Sequence, residues 1–244
     1  MSHYYDFKEW KYPSVTTIIG DATDKSGALC QWSANQVVGW IRENIGQQEI
    51  GTYPVTDEHL EKARFAYKET SQTALDVGSA VHAAIEDYLH DKPVVFTEET
   101  PDQVQEAFAA FRKWEKEHDL KPIALEQTVF GDCWAGTLDF LGYFNDKLYV
   151  IDWKSSKAHY PEMRYQVAAY RSIVQLPAHS VDWFVMGQVQ GCGVLRLDKE
   201  TGLPDWKDTS KTYERDLQIF TAMKQLYFLR HPQIAKKAGW HTPF

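Results

Sequence analysis

Two aspartates and a lysine sit close together in the segment Gly136 to Lys154, which reads GTLDFLGYFNDKLYVIDWK. Asp139 closes the run Gly136-Thr137-Leu138-Asp139, and Asp152 and Lys154 close Val150-Ile151-Asp152-Trp153-Lys154. Side chains two apart on a strand project from the same face, so Asp152 and Lys154 share one. The apolar run Leu148 to Ile151 before them reads as buried, and a hairpin turning at Asn145-Asp146 brings Asp139 alongside. Oxygen donors in this arrangement suit Mg2+ or Mn2+. Such a cation orients a water for attack on phosphorus, and the lysine assists that water or stabilises the pentacovalent charge. A structural Asp–Lys pair at a strand end has the same residue pattern, because ion-pair networks also gather charges.

Two further elements bear on the same chemistry. Gln166 and Tyr170 are four apart and share one face of a predicted helix, with Arg164 and Arg171 nearby. An amide, a phenol and guanidinium groups can contact phosphate or position the lysine, although a half-buried polar helix face has the same residues. His82 follows Gly78-Ser79-Ala80-Val81 on an earlier helix, with Glu86 one turn further on. Imidazole is a poor ligand for Mg2+ and an acceptable one for Mn2+. A lone helical histidine is more often structural.

These groups need a scaffold. The region to about Thr70 reads as helical and irregular, with a hydroxyl-capped helix entered through Pro13-Ser14-Val15-Thr16-Thr17-Ile18-Ile19 and helices over Ala28–Ile45 and Asp57–Lys68. Apolar spacing predicts helices over Asp76–His90 and Asp102–His118. Strands follow over Pro122–Phe130, Cys133–Phe144 and Lys147–Trp153, separated by turns at Gly131-Asp132 and Asn145-Asp146. A helix over Pro161–Gln175 precedes strands over Val181–Val189 and Cys192–Leu197, joined across Gln190-Gly191, and a helix over Tyr213–Leu229 ends the pattern. The order makes this an α+β protein, a mixed sheet flanked by helices.

Composition narrows the function. The 244 residues carry a formal net charge of −8, which argues against a protein that coats nucleic acid by charge alone. It leaves a nuclease open, because bound cations can carry the positive charge. Most of the nine Trp, thirteen Tyr and twelve Phe must be core, but that many leave some available to stack on bases; Trp32, Trp40, Phe65 and Tyr67 in the N-terminal part could do so, although such residues are more often core and are not named as binding residues. No run is long enough to cross a bilayer, and the N-terminus lacks the pattern of a signal or transit peptide. Cys30, Cys133 and Cys192 are too scattered for a disulfide framework or a thiol-ligated cluster. A reducing cytoplasm, in a bacterial or phage-infected cell, is the expected setting.

Taken in order, a helical histidine (Gly78 to His82), GxxD (Gly136 to Asp139), DxK (Asp152 to Lys154) and QxxxY (Gln166 to Tyr170) resemble the RecB-like branch of the PD-(D/E)XK nuclease superfamily. Val150-Ile151-Asp152-Trp153-Lys154-Ser155-Ser156, Gln166 to Tyr170 and the early Pro13 to Ile19 are similar to segments of the mitochondrial genome maintenance exonuclease group and its phage and bacterial relatives. The resemblance implies a restriction-endonuclease-like αβββαβ core with an N-terminal helical insertion and a C-terminal helix. It implies one nuclease domain over 1–244, with a helical arch at 1–75, a catalytic core at 76–200 and a C-terminal helix and tail at 201–244. Its metal ligands would be His82, Asp139, Asp152 and the Trp153 backbone carbonyl, with Glu126 on the preceding strand and Glu86 as further candidates. Lys154 would be the catalytic lysine, and Gln166 and Tyr170 would support the site and contact DNA. With three scattered cysteines the chain resembles the members that lack an iron–sulfur cluster.

The expected activity is therefore a Mg2+- or Mn2+-dependent DNA exonuclease acting on single strands or free ends, in recombination, repair or replication with a partner protein of those processes. A flap or junction endonuclease of the same fold and a non-catalytic DNA-binding recombination protein are the alternatives.

Overall fold

The computed structural model describes residues 3–45, 55–174 and 189–241. The chain forms two compact units, Met1–Thr23 with Ala80–Phe244, and Asp24–Ser79.

In chain order the elements are β1 (Tyr4–Phe7), β2 (Trp10–Pro13), α1 (Val15–Ala22), α2 (Ser26–Asn44), α3 (Asp57–Leu89) and α4 (Asp102–Glu115). There follow β3 (Leu120–Phe130), β4 (Ala135–Phe144), β5 (Lys147–Lys154), α5 (Pro161–Val174), β6 (Gly191–Leu197), β7 (Pro204–Asp208), α6 (Tyr213–Arg230) and α7 (Pro232–Lys237). None of the described helices is long and apolar enough to cross a membrane.

The smaller unit holds α2 and the first part of α3. There the Thr70 hydroxyl donates to the Gln36 side chain at 3.1 Å, and the Trp40 and His59 rings lie 6.4 Å apart. The separate helices expected over Asp57–Lys68 and Asp76–His90 are one helix of 33 residues. The polar stretch between them contains no glycine or proline. Its Thr70 and Thr73 hydroxyls donate back to the carbonyls of Ala66 and Glu69, at 3.1 and 3.0 Å, so these residues are satisfied within the helix rather than ending it.

The larger unit is built on a five-stranded mixed sheet of order β3-β4-β5-β6-β7. β3, β4 and β5 form an antiparallel meander, and the Asn145-Asp146 turn has positive φ at both residues, 48° and 61°, as a two-residue hairpin loop requires. β5 and β6 are parallel, a pairing that needs a long crossover, and α5 lies in it. The strand expected over Val181–Val189 falls outside the described residues, up to 188. β7, which pairs antiparallel with β6, was not expected from sequence. It is a five-residue edge strand opening on proline and carrying three charged side chains, which disguise it.

The first residues also depart from the helical and irregular expectation. Tyr4 to Phe7 and Trp10 to Pro13 pair as an antiparallel hairpin. Its rings explain why: Phe7 lies 4.6 Å from Phe130 and 6.1 Å from Tyr12, so the hairpin is held by tertiary burial. The α1 cap is as expected, with Ser14 Oγ accepting from the Thr17 amide at 3.0 Å.

One face of the sheet packs on α4 through Phe111, Trp114, Phe140, Phe144, Trp153 and Trp206. The other carries a core of Leu141, Leu148, Val150, Cys192 and Val194 against Val167, Ala168 and Ile173 of α5, extended by Ile18 and Ile19 of α1 and by Phe220, Tyr227 and Phe228 of α6.

Candidate metal centre and active site

The site begins where β4 and β5 part. Their ladder runs from Phe144↔Lys147 to Phe140↔Ile151, and the next residues along are Asp139 and Asp152. There the Asp139 carboxylate takes over from the backbone, accepting the Trp153 amide proton at 2.7 Å. Period-two alternation does the rest. Trp153 turns into the aromatic layer, 5.4 Å from Phe111 and 5.8 Å from Phe140, so Asp152 and Lys154 are sent to the opposite face. There Lys154 Nζ lies 2.6 Å from Asp152 Oδ2.

His82 arrives from the C-terminal part of α3 and Glu126 from β3. His82 Nδ1 is 3.1 Å from Glu126 Oε1 and 3.7 Å from Asp139 Oδ1, and its Nε2 is 3.2 Å from the Trp153 carbonyl oxygen. Ligand atoms of His82, Glu126 and Asp139 all lie within 4.8 Å of one another, close enough for one cation. Glu126 reaches this position at a backbone cost. Its φ is 44°, a left-handed conformation in mid-strand, of the kind that concentrates at functional sites.

The charges are mutually adjusted. Burial opposes a charge on His82, but Asp139 and the hydrogen bond that the ring donates to Glu126 outweigh it and raise the imidazole to about 9. Each ring nitrogen faces an oxygen acceptor, as a doubly protonated imidazolium requires. A proton thus balances the carboxylates where a divalent cation could. Burial pushes Asp139 above the usual carboxylate range, and pushes Asp152 up likewise against the pull of Lys154. Burial also opposes the charge on Lys154, yet Asp152 and Asp139 hold the ammonium above its ordinary pKa. Asp152 is 0% exposed, and beyond the Lys154 ammonium at Oδ2 its carboxylate has no hydrogen-bond partner among the described residues. A buried carboxylate in that condition has unused ligand capacity.

Gln166 and Tyr170 meet as expected, the Gln166 amide donating to the phenol oxygen at 3.3 Å. Burial, with Asp152 adding to it, pushes Tyr170 far up, so it stays a phenol with a proton to donate. The glycine of GxxD has a steric role: a Cβ on Gly136 would fall 2.6 Å from Tyr170 Cε1 and 2.8 Å from its hydroxyl. Two expected participants are elsewhere. Arg171 is buried, donating to the Val189 carbonyl at 3.0 Å with its guanidinium 4.1 Å over the Tyr213 ring, which makes it a brace between elements and not a phosphate contact. Glu86 faces His90 at 4.0 Å and is not in the cluster. Tyr5 of the hairpin was not anticipated. Its hydroxyl bonds Thr137 Oγ1 at 3.1 Å, inside GxxD, and only the aromatic alternation of residues 4–12 hinted at a strand there.

The donor set of His82, Glu126 and Asp139, one imidazole and two carboxylates, fits a small divalent cation, Mn2+ better than Mg2+ because of the nitrogen, whereas Asp152 is paired with Lys154 and the Trp153 carbonyl faces the other ring nitrogen of His82. No known protein-family model matches the chain, and a search of curated proteins finds no match.

Proposed function

We propose that the protein is a Mg2+- or Mn2+-dependent deoxyribonuclease of the RecB-like PD-(D/E)XK type, with a restriction-endonuclease-like core, acting as an exonuclease on single strands or free DNA ends. The observation that carries the reading is the convergence of His82, Glu126 and Asp139 beside a buried Asp152–Lys154 pair at the parting of two strands. A purely structural ion pair needs neither the histidine nor a strained glutamate.

His82, Glu126 and Asp139 would hold the cation. When bound, it supplies charge to a phosphoryl oxygen and acidity to a water. Lys154, kept protonated by the two aspartates, donates to a non-bridging oxygen as negative charge grows there in the transition state. Gln166 and Tyr170 hold that phosphate, and the Tyr170 proton points its charge compensation at the same group. The aromatic layer behind Trp153 keeps these groups from shifting.

The test is cleavage of single-stranded DNA labelled at either end, with Mn2+ or Mg2+, by the wild type and by Asp152→Ala and Lys154→Ala. Shortening from one labelled end, lost in both variants, is expected. Intact DNA in every metal, or unaffected variants, overturns the reading, and cutting of a covalently closed circular strand makes the enzyme an endonuclease.

A further inference from the structure

A cavity of about 150 Å³ opens beside the first turn of α5, lined among others by His159, Tyr160, Arg164, Val194 and Lys207. Strand register relates it to the catalytic aspartate. Asp152 pairs with Val194 and Val194 with Lys207, so the three side chains lie in one row across one face of the sheet. Two strand spacings of ~4.8 Å put Lys207 roughly 10 Å from Asp152.

Its polar lining includes two cations, Arg164 and Lys207, and the imidazole of His159. His159 is anchored through Nε2, 3.1 Å from the Asp205 carbonyl and 3.4 Å from its carboxylate. That carboxylate is shared with Arg196 at 3.1 Å. Arg164 lies 3.9 Å from Asp216, a weak pairing, and its buried Nε has no hydrogen-bond partner among the described residues. Asp216 is met instead by the Thr212 hydroxyl at 2.5 Å and by Arg215 at 3.5 Å. Lys207 forms no ion pair among the described residues. A guanidinium, an ammonium and an anchored imidazole around one small space offer several N–H donors to an anion such as a phosphate. The Tyr160 ring, 47% exposed at the rim, offers a stacking surface for a base or sugar.

We propose that this cavity is a second phosphate subsite, holding a backbone phosphate one or two nucleotides from the scissile one on a bound single strand. The inference rests on the reading of the protein as a DNA nuclease, but its test does not need cleavage. Binding of a fluorescent single-stranded oligonucleotide to the full chain is followed by anisotropy in EDTA across a salt series. Lys207→Ala is expected to weaken binding roughly fivefold and to lower the slope of log affinity against log salt by about 0.7, the contribution of one phosphate contact on a single strand. Lys207→Glu weakens it more, Lys207→Arg restores it, and Lys147→Ala, at the β4–β5 turn, changes nothing. In the cleavage assay Lys207→Ala raises KM on a long strand and leaves kcat unchanged. A salt slope equal to the wild type's in Lys207→Ala overturns the subsite even if DNA is cut normally. A lowered slope in a protein that cuts nothing upholds the subsite and sinks the nuclease reading alone. Calorimetry with inorganic phosphate separates the sources: phosphate binding that Lys207→Ala weakens, with DNA affinity untouched, assigns the cavity to a free anion and overturns the proposal.

Discussion

Asp152, Trp153 and Lys154 are consecutive, yet they occupy opposite physical regimes. Trp153 is 1% exposed among the rings of Phe111, Trp114 and Phe140, whereas its two neighbours join a network of carboxylates, an ammonium and an imidazole at the parting of β4 and β5. Alternation along one strand is what makes this possible. The dry face supplies stability and rigidity; the charged face gives up stability to gather groups that water would otherwise solvate. The raised carboxyl pKa values are the trace of that cost. The two faces should therefore respond to mutation in opposite currencies.

The largest effect belongs to the charged face and is an effect on rate. Asp152→Asn is expected to lower cleavage by about 10³-fold, roughly 4 kcal/mol of barrier. Its metal-free melting temperature should change little, because the weakened support of the Lys154 ammonium offsets the relief of the carboxyl penalty. An acid whose folded pKa lies above its unfolded value destabilises the fold once pH exceeds the unfolded value, and the neutral amide removes that penalty. A large fall in melting temperature would mean that Asp152 is a structural ion-pair member. Next comes the dry face. Trp153→Ala should cost about 3–5 kcal/mol in urea unfolding while touching no reacting group. If that variant instead loses activity with stability intact, the division between the faces is wrong.

Gly136→Ala lies between them, since its new methyl would press on the Tyr170 ring, and about 1–3 kcal/mol is expected. The double variant with Tyr170→Ala should cost less than the sum of the two single changes. Additivity would show that the glycine serves something other than the close approach of that phenol.

The sequence was most legible where pattern and packing agree. β3, β4 and β5 and their Asn145-Asp146 turn were visible because half-buried strands alternate and hairpin turns have few solutions. His82, Asp139, Asp152 and Lys154 were visible because charged groups beside apolar runs stand out. What escaped was decided by tertiary contacts. The β1–β2 hairpin depends on Phe130, more than a hundred residues away in sequence. β7 hides behind the proline and charges that protect an edge. Thr70 and Thr73 resemble a break and are absorbed into α3 by back-bonding. Arg171 resembled a phosphate ligand because spacing along a helix does not reveal which side chains are buried under the next one. Glu126 was named on resemblance alone, and its left-handed φ has no signature in a single sequence.

On the proposed reading, His82, Glu126 and Asp139 are a cation site whose carboxylates are balanced in the metal-free protein by the imidazole proton. The raised His82 pKa stabilises the metal-free fold fully below the unfolded value of 6.5, and that contribution is lost as pH climbs through about 9. At pH 7 a divalent cation must therefore displace the imidazole proton, and its affinity should rise with pH towards 9. The most direct measurement is calorimetric titration with Mn2+ at pH 7 in two buffers of different ionisation enthalpy. Saturable binding with release of roughly one proton is expected, both abolished in His82→Ala. Absence of binding in the wild type, or binding that survives His82→Ala and Asp139→Asn unchanged, would contradict it.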